Sequence, residues 1–498
     1  MTSILQYVLL VGLQIVLAPL VLRIAGQETL GAYSVLMQAI GYLAMVDLGF
    51  SIAVGRGLAQ AYGLNDGGRT FMDTLTTGRT FTLMSNGVLA LLIFLFSFVA
   101  QKLFNLSEGV ATQARYGLWL LAIWAVVRTP LALYGSGLIA TQNLAAANLI
   151  GILGNVARLI LSLILVSARM GLLGLVLANI AAEFFTVLAQ RIWFRHKFPE
   201  WHFGWGLPDR QLFKAMFRFG AQAMFIQVAV QAVLRSDGIV IGYLRGAVAV
   251  SIYYTTQMPT LIGYTIVNRL TENAMPAINE LYARGEKDHL RDIFLRLSRY
   301  TLILVVLLLI GFLLFNKLVV TLWVGEAQYA GNSTNTALTL FAVMIAAGYV
   351  GNAFVMAKGR IRTLSYLSLG ESIIHLTLAF WLGHYWGLAG VAWGSVIAHI
   401  PTFFYLQWRG QQIVGVNGLM FLKRVLIPLA IPSMILLLFQ FIWLKCIFLN
   451  IWYIILFNLF SIVIIYSIAI YIFSLTAIER RKIADSIRMA FLLRRRTS

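Results

Sequence analysis

The feature that most constrains this chain is a succession of apolar runs, each about 20 residues long, separated by short loops rich in Lys and Arg. Hydrocarbon offers the backbone no hydrogen-bond partner, so each run must satisfy its own N–H and C=O groups and is expected to be a helix. About fourteen such spans are predicted. They lie near 4–25, 31–54, 80–103, 115–138, 146–168, 171–193, 219–242, 248–271, 300–322, 335–357, 363–384, 387–408, 425–447 and 451–474. Composition agrees, because only 11% of residues are charged, against roughly 25% in soluble domains. The expected fold class is an all-α polytopic membrane protein. No polar stretch is long enough for a separate soluble domain. The single cysteine, Cys446, excludes an internal disulfide and a Cys-based metal site. Residues 1–6 carry no basic group and the first run is long enough to span, so a cleaved secretory signal is not expected.

A net charge of +20 raises the question of nucleic acid, but the basic residues sit in short inter-span loops, as orientation signals do. With the N-terminus inside, about 28 of the 38 Lys and Arg fall on inner loops and about 7 on outer ones. Both termini are therefore expected in the cytoplasm, with the chain in the inner (plasma) membrane. The outer loops are too short for an extracytoplasmic catalytic domain. Two inner segments read as surface helices. In residues 208–218, Arg210, Lys214 and Arg218 share one face, with Leu212, Phe213, Met216 and Phe217 on another. The tail from Ile478 to Leu493 is similar and fits an anionic lipid surface.

Several charges fall inside apolar runs, where they are costly and usually face a bundle interior or a wet cavity. They are Asp47, Arg128, Arg158, Glu183, Arg235, Asp237, Glu371, His375 and His399. Local pairing of Arg235 with Asp237, or interhelical bridges from Arg128 or Arg158 to Asp47 or Glu183, is the structural alternative to a functional cavity. The tryptophans, among them Trp119, Trp124, Trp381, Trp386 and Trp393, fit an interfacial belt better than a set of sugar-stacking platforms.

The chain also matches itself. At an offset of 216, Gly135 falls on Gly351, Leu153-Gly154 on Leu369-Gly370, Gly171-Leu172-Leu173-Gly174 on Gly387-Leu388-Ala389-Gly390, and Glu183 on His399. At an offset of 220, Tyr33 falls on Tyr253 and Tyr62 on Tyr282. Six spans separate the matched elements, so both halves have the same orientation and form a parallel repeat about the membrane normal. The expected organisation is an N-terminal six-helix lobe (1–195), a cytoplasmic amphipathic linker (196–218), a C-terminal six-helix lobe (219–409), and two extra helices with a basic tail (410–498). Such a layout suits alternating access to a cavity between the lobes.

Several motifs resemble a known family. Leu30-Gly31-Ala32-Tyr33 followed by Asp47-Leu48-Gly49-Phe50 is similar to the opening of polysaccharide transporters. Asp237-Gly238-Ile239-Val240-Ile241-Gly242, then Tyr253, then Pro276-Ala277-Ile278 looks like the start of their second lobe. Leu322-Trp323-Val324-Gly325 with Tyr329, Met356-Ala357-Lys358-Gly359-Arg360, and Gly387-Leu388-Ala389-Gly390 resemble their later turns. Over about residues 3–409 the chain resembles the Wzx-type oligosaccharide flippases of the multidrug/oligosaccharidyl-lipid/polysaccharide exporter superfamily. The lipid II flippase branch shares the span count but carries longer charged motifs that are not seen here.

The resemblance implies a flippase, not an enzyme. It would move a polyprenyl-pyrophosphate-linked oligosaccharide from the inner to the outer leaflet for O-antigen, capsule or exopolysaccharide assembly. Polysaccharide polymerase and chain-length machinery are the implied partners, with membrane lipids around a monomer and no nucleic acid. A pyrophosphate needs cations, and Arg binds phosphate oxygens in a fork; the candidates are Arg128, Arg158, Arg235, Arg269 and Arg23. Candidates for ion coupling are Asp47, Glu183, Asp237, Glu371, His375 and His399, with H⁺ or Na⁺ as the ion and no other cofactor or metal. Glu371 and His375, four residues apart on one helical face, form a candidate proton relay. The competing readings are a multidrug/cation antiporter of the same superfamily, whose cationic substrates the arginines disfavour, and a membrane-embedded polysaccharide polymerase or ligase, which needs a larger outer loop.

Overall fold

The structure is a computed structural model. It describes residues 2–64, 66–201, 208–359, 361–446, 452–476 and 479–481; side chains at 2–11, 13–14, 46–50, 52, 222–235, 361–362, 443–446 and 452–459 are excepted. The first half runs α1 (Thr2–Leu43), α2 (Met45–Gly63), α3 (Arg69–Leu103), α4 (Glu108–Val127), α5 (Thr129–Ala140), α6 (Leu144–Ser167) and α7 (Gly171–Lys197). The second runs α8 (Arg210–Arg245), α9 (Ala247–Arg284), α10 (Lys287–Val324), α11 (Asn332–Ala357) and α12 (Ile361–Val414). A short α13 (Gly418–Phe421) leads through a π turn into α14 (Ile427–Cys446), and α15 (Trp452–Phe473) follows.

The crossings do not map one-to-one onto helices. α1 is broken at Gly26 (φ 86°, ψ 170°) and α12 at Gly387 (φ 61°, ψ −136°), so each supplies parts of two crossings. The fourth predicted span is interrupted at Arg128, because Pro130 has no N–H to continue the ladder and α5 must start afresh. Counted through these breaks, the described helices make about fourteen crossings. Nine helical stretches among the described residues are long and apolar enough to span by length and composition. Two six-helix lobes plus two C-terminal helices form the architecture.

One expectation is corrected. Residues 210–218 are not a separate surface helix but the first turns of α8. Nothing between Arg218 and the span breaks the i→i+4 ladder, and Asp209 caps the helix by accepting from Leu212 N at 2.8 Å. At 36 residues, α8 is about 54 Å long, well beyond the roughly 30 Å hydrocarbon layer. The predicted tail helix, 478–493, lies almost wholly outside the described residues.

The internal repeat is written in the backbone. Gly26 (φ 86°, ψ 170°) and Gly246 (φ 80°, ψ 175°), 220 residues apart, adopt the same conformation between consecutive crossings. Gly171 and Gly387, 216 apart, both have positive φ. Gly135 faces Gln190, and its repeat mate Gly351 faces Leu406, the mate of Gln190. A shared close approach of helices, rather than residue identity alone, is what the glycine register preserved.

Packing groups the chain into two compact units whose boundaries fall inside helices. The first comprises Met1–Pro259, Asn316–Leu338 and Arg362–His399. Its largest described core surrounds Phe71, Leu75, Leu138 and Phe194, with Trp201 stacked on Phe198 at 4.6 Å. The second comprises Thr260–Phe315, Thr339–Ile361 and Ile400–Ser498, with Phe294 and Phe354 edge-to-face at 5.1 Å in its core. Rows of exposed apolar side chains such as Leu91, Leu95 and Phe98 on α3, or Met434, Leu438 and Phe441 on α14, face outward as a lipid-contacting surface requires.

Candidate functional site

Asp237 sits in the last third of α8 and gathers partners from two other helices. Tyr253 of α9 donates its hydroxyl to Oδ2 at 2.6 Å. His375 Nε2 of α12 lies 2.8 Å from Oδ1, and Ser395, beyond the break in the same helix, reaches both oxygens at 3.3–3.4 Å. The second ring nitrogen, Nδ1, meets Ser236 Oγ at 3.1 Å. The imidazole is only 1% exposed and the carboxylate 14%. A carboxyl group that deep needs hydrogen-bonded compensation, and here Tyr253, His375 and Ser395 surround it.

A second acid–imidazole pair lies in the same unit. Glu371 Oε1 is 2.7 Å from His399 Nδ1, and both side chains are at most 10% exposed. The predicted relay from Glu371 to His375 is therefore resolved into two pairs. His375 takes its carboxylate from α8, whereas His399 takes Glu371 from across the Gly387 break within α12. One turn of α12 still separates Glu371 from His375, so the pairs are neighbours.

The N-terminal half is organised differently. Arg128 Nη1 bonds Glu183 Oε1 at 2.5 Å, and Trp124 Nε1 donates to Oε2 at 2.8 Å, so both oxygens of Glu183 are engaged. Both charged side chains are about one-third exposed (31% and 32%). Beside Arg128 is a cavity of about 100 Å³ lined by Ser51, Thr82, Asn86, Thr129 and Ser136. Asn86 Oδ1, buried in its wall, has no partner among the described residues. Arg158 on α6 is half-buried and makes no ion pair or hydrogen bond among the described residues.

The remaining candidates are scattered. Arg269, in the second unit, is exposed and pairs with Glu272 one turn on at 2.7 Å. Arg23 is exposed on α1. The side chains of Asp47 and Arg235 lie outside the described residues. Glu183 and His399, matched by the repeat, each hold a charged partner of opposite type, Arg128 in one half and Glu371 in the other. Ser236, Ser395 and Asn86 were not singled out from the sequence. Neutral polar residues are common in spans, and only their proximity to Asp237 or Arg128 distinguishes them. Among the described residues no cluster of three or more His, Cys, Asp or Glu gathers to hold a metal.

A parallel helical repeat with acid–imidazole pairs buried in one half and arginines in the other defines the class: a polytopic membrane transporter. A family model described as "Polysaccharide biosynthesis protein" matches residues 1–282. The chain belongs to that family. It is 22% identical over 401 residues to a Shigella flexneri protein named "Putative O-antigen transporter", covering 78% of this chain and 92% of that one. Its fold is similar to that of lipid II flippase MurJ in an inward closed conformation, with TM-score 0.72, 16% identity, and 95% of this chain and 97% of that one covered. It is also similar to an inward-facing multidrug resistance MATE family transporter of the MOP superfamily, with TM-score 0.67, 16% identity, and 82% and 96% covered.

Proposed function

We propose that this protein flips a polyprenyl-pyrophosphate-linked oligosaccharide across the membrane, binding the anionic head with N-half arginines and exchanging protons at the C-half acid–imidazole pairs. The observation that carries the reading is Arg158, a half-buried guanidinium without an anionic partner among the described residues. A cation held in that state is stabilised by an incoming anion, and Arg matches phosphate oxygens in a fork. Arg128, neutralised by Glu183, is assigned to positioning and to the rim of the Asn86 cavity.

The repeat supports the division of labour. At the positions matched to Asp237, Glu371, His375 and Ser395, the N-terminal half carries Leu17, Asn155, Leu159 and Asn179. Of the second half's two acid–imidazole pairs, only His399 has a titratable mate in the first half, Glu183, and that one is paired with Arg128. Its chemistry favours a proton over Na⁺. A bound alkali cation needs several oxygen ligands at once, whereas Asp237 already accepts from Tyr253, His375 and Ser395. A proton needs only one vacancy, because carboxylate with neutral imidazole becomes carboxylate with imidazolium on taking up a single H⁺ and reverts on releasing it.

The test is transport of a fluorescent polyprenyl-pyrophosphate oligosaccharide in vesicles reconstituted with the full chain. Arg158→Ala, checked for native thermal stability, is expected to slow it at least about tenfold, the loss of one charge-assisted anion contact. Wild-type rates in that variant would remove Arg158 from the site. A wild-type protein that ignores the lipid-linked sugar but exports a cationic dye would replace the reading with the antiporter.

A further inference from the structure

A cavity of about 450 Å³ lies outside the candidate transport site. It lies in the second unit, where the Lys/Arg-rich end of α10 meets the start of α14 and the segment after α15. Its size falls within the roughly 300–1,000 Å³ of small-molecule sites. On α10, Asp292, Leu295, Arg296 and Arg299 recur at helical spacing and present one face to it. Arg424 stands opposite, and Leu295, Pro428, Phe473 and Leu475 supply an apolar wall.

The polar groups are built in rather than incidental. Glu479 is saturated: it accepts from Tyr300 at 2.6 Å, from Thr476 N and Oγ1 at 2.8 Å, and from Arg299. Ser474 donates to Pro428 O at 2.7 Å, and Arg480 caps Ile472 O at 2.8 Å, so the segment after α15 is fixed as a wall. Arg299, only 8% exposed, retains an Nε with no partner among the described residues. Asp292 is offset by Arg424 at 4.0 Å. Arg296 is exposed and has no carboxylate partner among the described residues. The cavity therefore carries one uncompensated positive charge, spare guanidinium donors and an apolar flank, at the membrane face where Lys and Arg concentrate.

We propose that this cavity binds the phosphodiester headgroup of an anionic phospholipid from the Lys/Arg-rich leaflet. Arg296 and Arg424 hold the phosphate oxygens, Arg299 Nε donates from the wall, and the apolar flank takes the glycerol end of the chains. A single phosphate charge matches the single excess cation. The apolar wall continues into the outward face of α15, where Ile468 and Ile472 are exposed, giving the acyl chains a route back to the bilayer. The lipid would tie the two appended helices to the second lobe.

Thermal unfolding of the full-length protein in detergent tests this, with phosphatidylglycerol, phosphatidylcholine and inorganic phosphate as separate additives. A ligand that binds only the native state raises the melting temperature. Phosphatidylglycerol is expected to raise it and the other two to leave it unchanged. Arg296→Ala with Arg424→Ala is expected to weaken the phosphatidylglycerol response at least about tenfold in midpoint concentration. Lys423→Ala, which removes a charge outside the cavity, is expected to keep it. A response preserved in the double variant, or matched by phosphatidylcholine, would overturn the site. An equal response to inorganic phosphate would overturn the lipid as occupant. If the double variant does not fold, Arg296→Gln, at an exposed position, carries the same comparison.

Discussion

One methyl group at Gly31 tests whether the two halves separate on the Lys/Arg-poor side during transport. Gly31 follows the break in α1 and lies against the start of α9. A Cβ there would sit 1.7 Å from Ala247 O, 2.5 Å from Ala247 C and 3.2 Å from Ser251 N. All three are backbone atoms, so no rotamer relieves the clash. Restoring ordinary contact means moving the helices from 1.7 Å to at least 3.4 Å at that point. Overpacking of this kind costs about 1–3 kcal/mol. A state with these helices apart does not incur it, so the equilibrium shifts toward that state by about 5–150-fold. The assay uses a Cys446→Ser background with Ser34→Cys, one turn from Gly31 and 8% exposed. A membrane-impermeant maleimide added from the Lys/Arg-poor side is expected to modify Ser34→Cys faster by that factor when Gly31→Ala is added. Unchanged labelling in a folded protein would show that the contact yields locally and does not gate the halves.

Other outcomes follow from the same geometry. Asp237→Asn keeps the volume but removes the charge held by His375 and Tyr253, so substrate flux is expected to lose its response to an imposed pH gradient while downhill equilibration persists; a retained response in vesicle assays would move coupling elsewhere. Gly351→Ala puts a Cβ 2.3 Å from Leu406 O, a backbone atom, whereas Gly135→Ala meets the flexible Gln190 amide at 2.4 Å. The first is expected to lower thermal stability by about 1–3 kcal/mol and the second by less, with Gly370→Ala, in open space, as the neutral control. Burial pushes the Glu479 carboxyl up, but Tyr300, Thr476 and Arg299 together hold it below its usual 4.5. Its stabilising contribution is thus full above about pH 4.5 and lost as pH falls through the lower folded value. Hydrogen-exchange protection around Ser474 to Thr476 should fall in that acid window, and protection that stays constant would contradict the assignment.

How much was legible in advance varies with range along the chain. Hydropathy placed the crossings because hydrocarbon penalises every unpaired backbone group, a local constraint. The repeat was legible because a helix approach closer than a side chain demands glycine at the same register in both halves, as Gly135 and Gly351 show. Boundaries were less legible. The apolar run near 31–54 and the polar turns near 210–218 differ in hydropathy from where their helices end, since backbone hydrogen bonding continues past the membrane surface.

The sequence by itself determined that this chain is a membrane-spanning helical repeat with costly charges buried in it, because those properties depend on composition and spacing within single helices. Only the tertiary structure decided which charges meet. Glu371 and His375 looked like partners at one-turn spacing, yet Glu371 bonds His399 from beyond the break in α12 and His375 bonds Asp237 of α8. Arg128 and Glu183, 55 residues apart, neutralise each other, while Arg158 meets no carboxylate among the described residues. A side chain's partner is set by how kinked helices cross in three dimensions, and that information is spread over every packing contact of the bundle rather than held near any one residue.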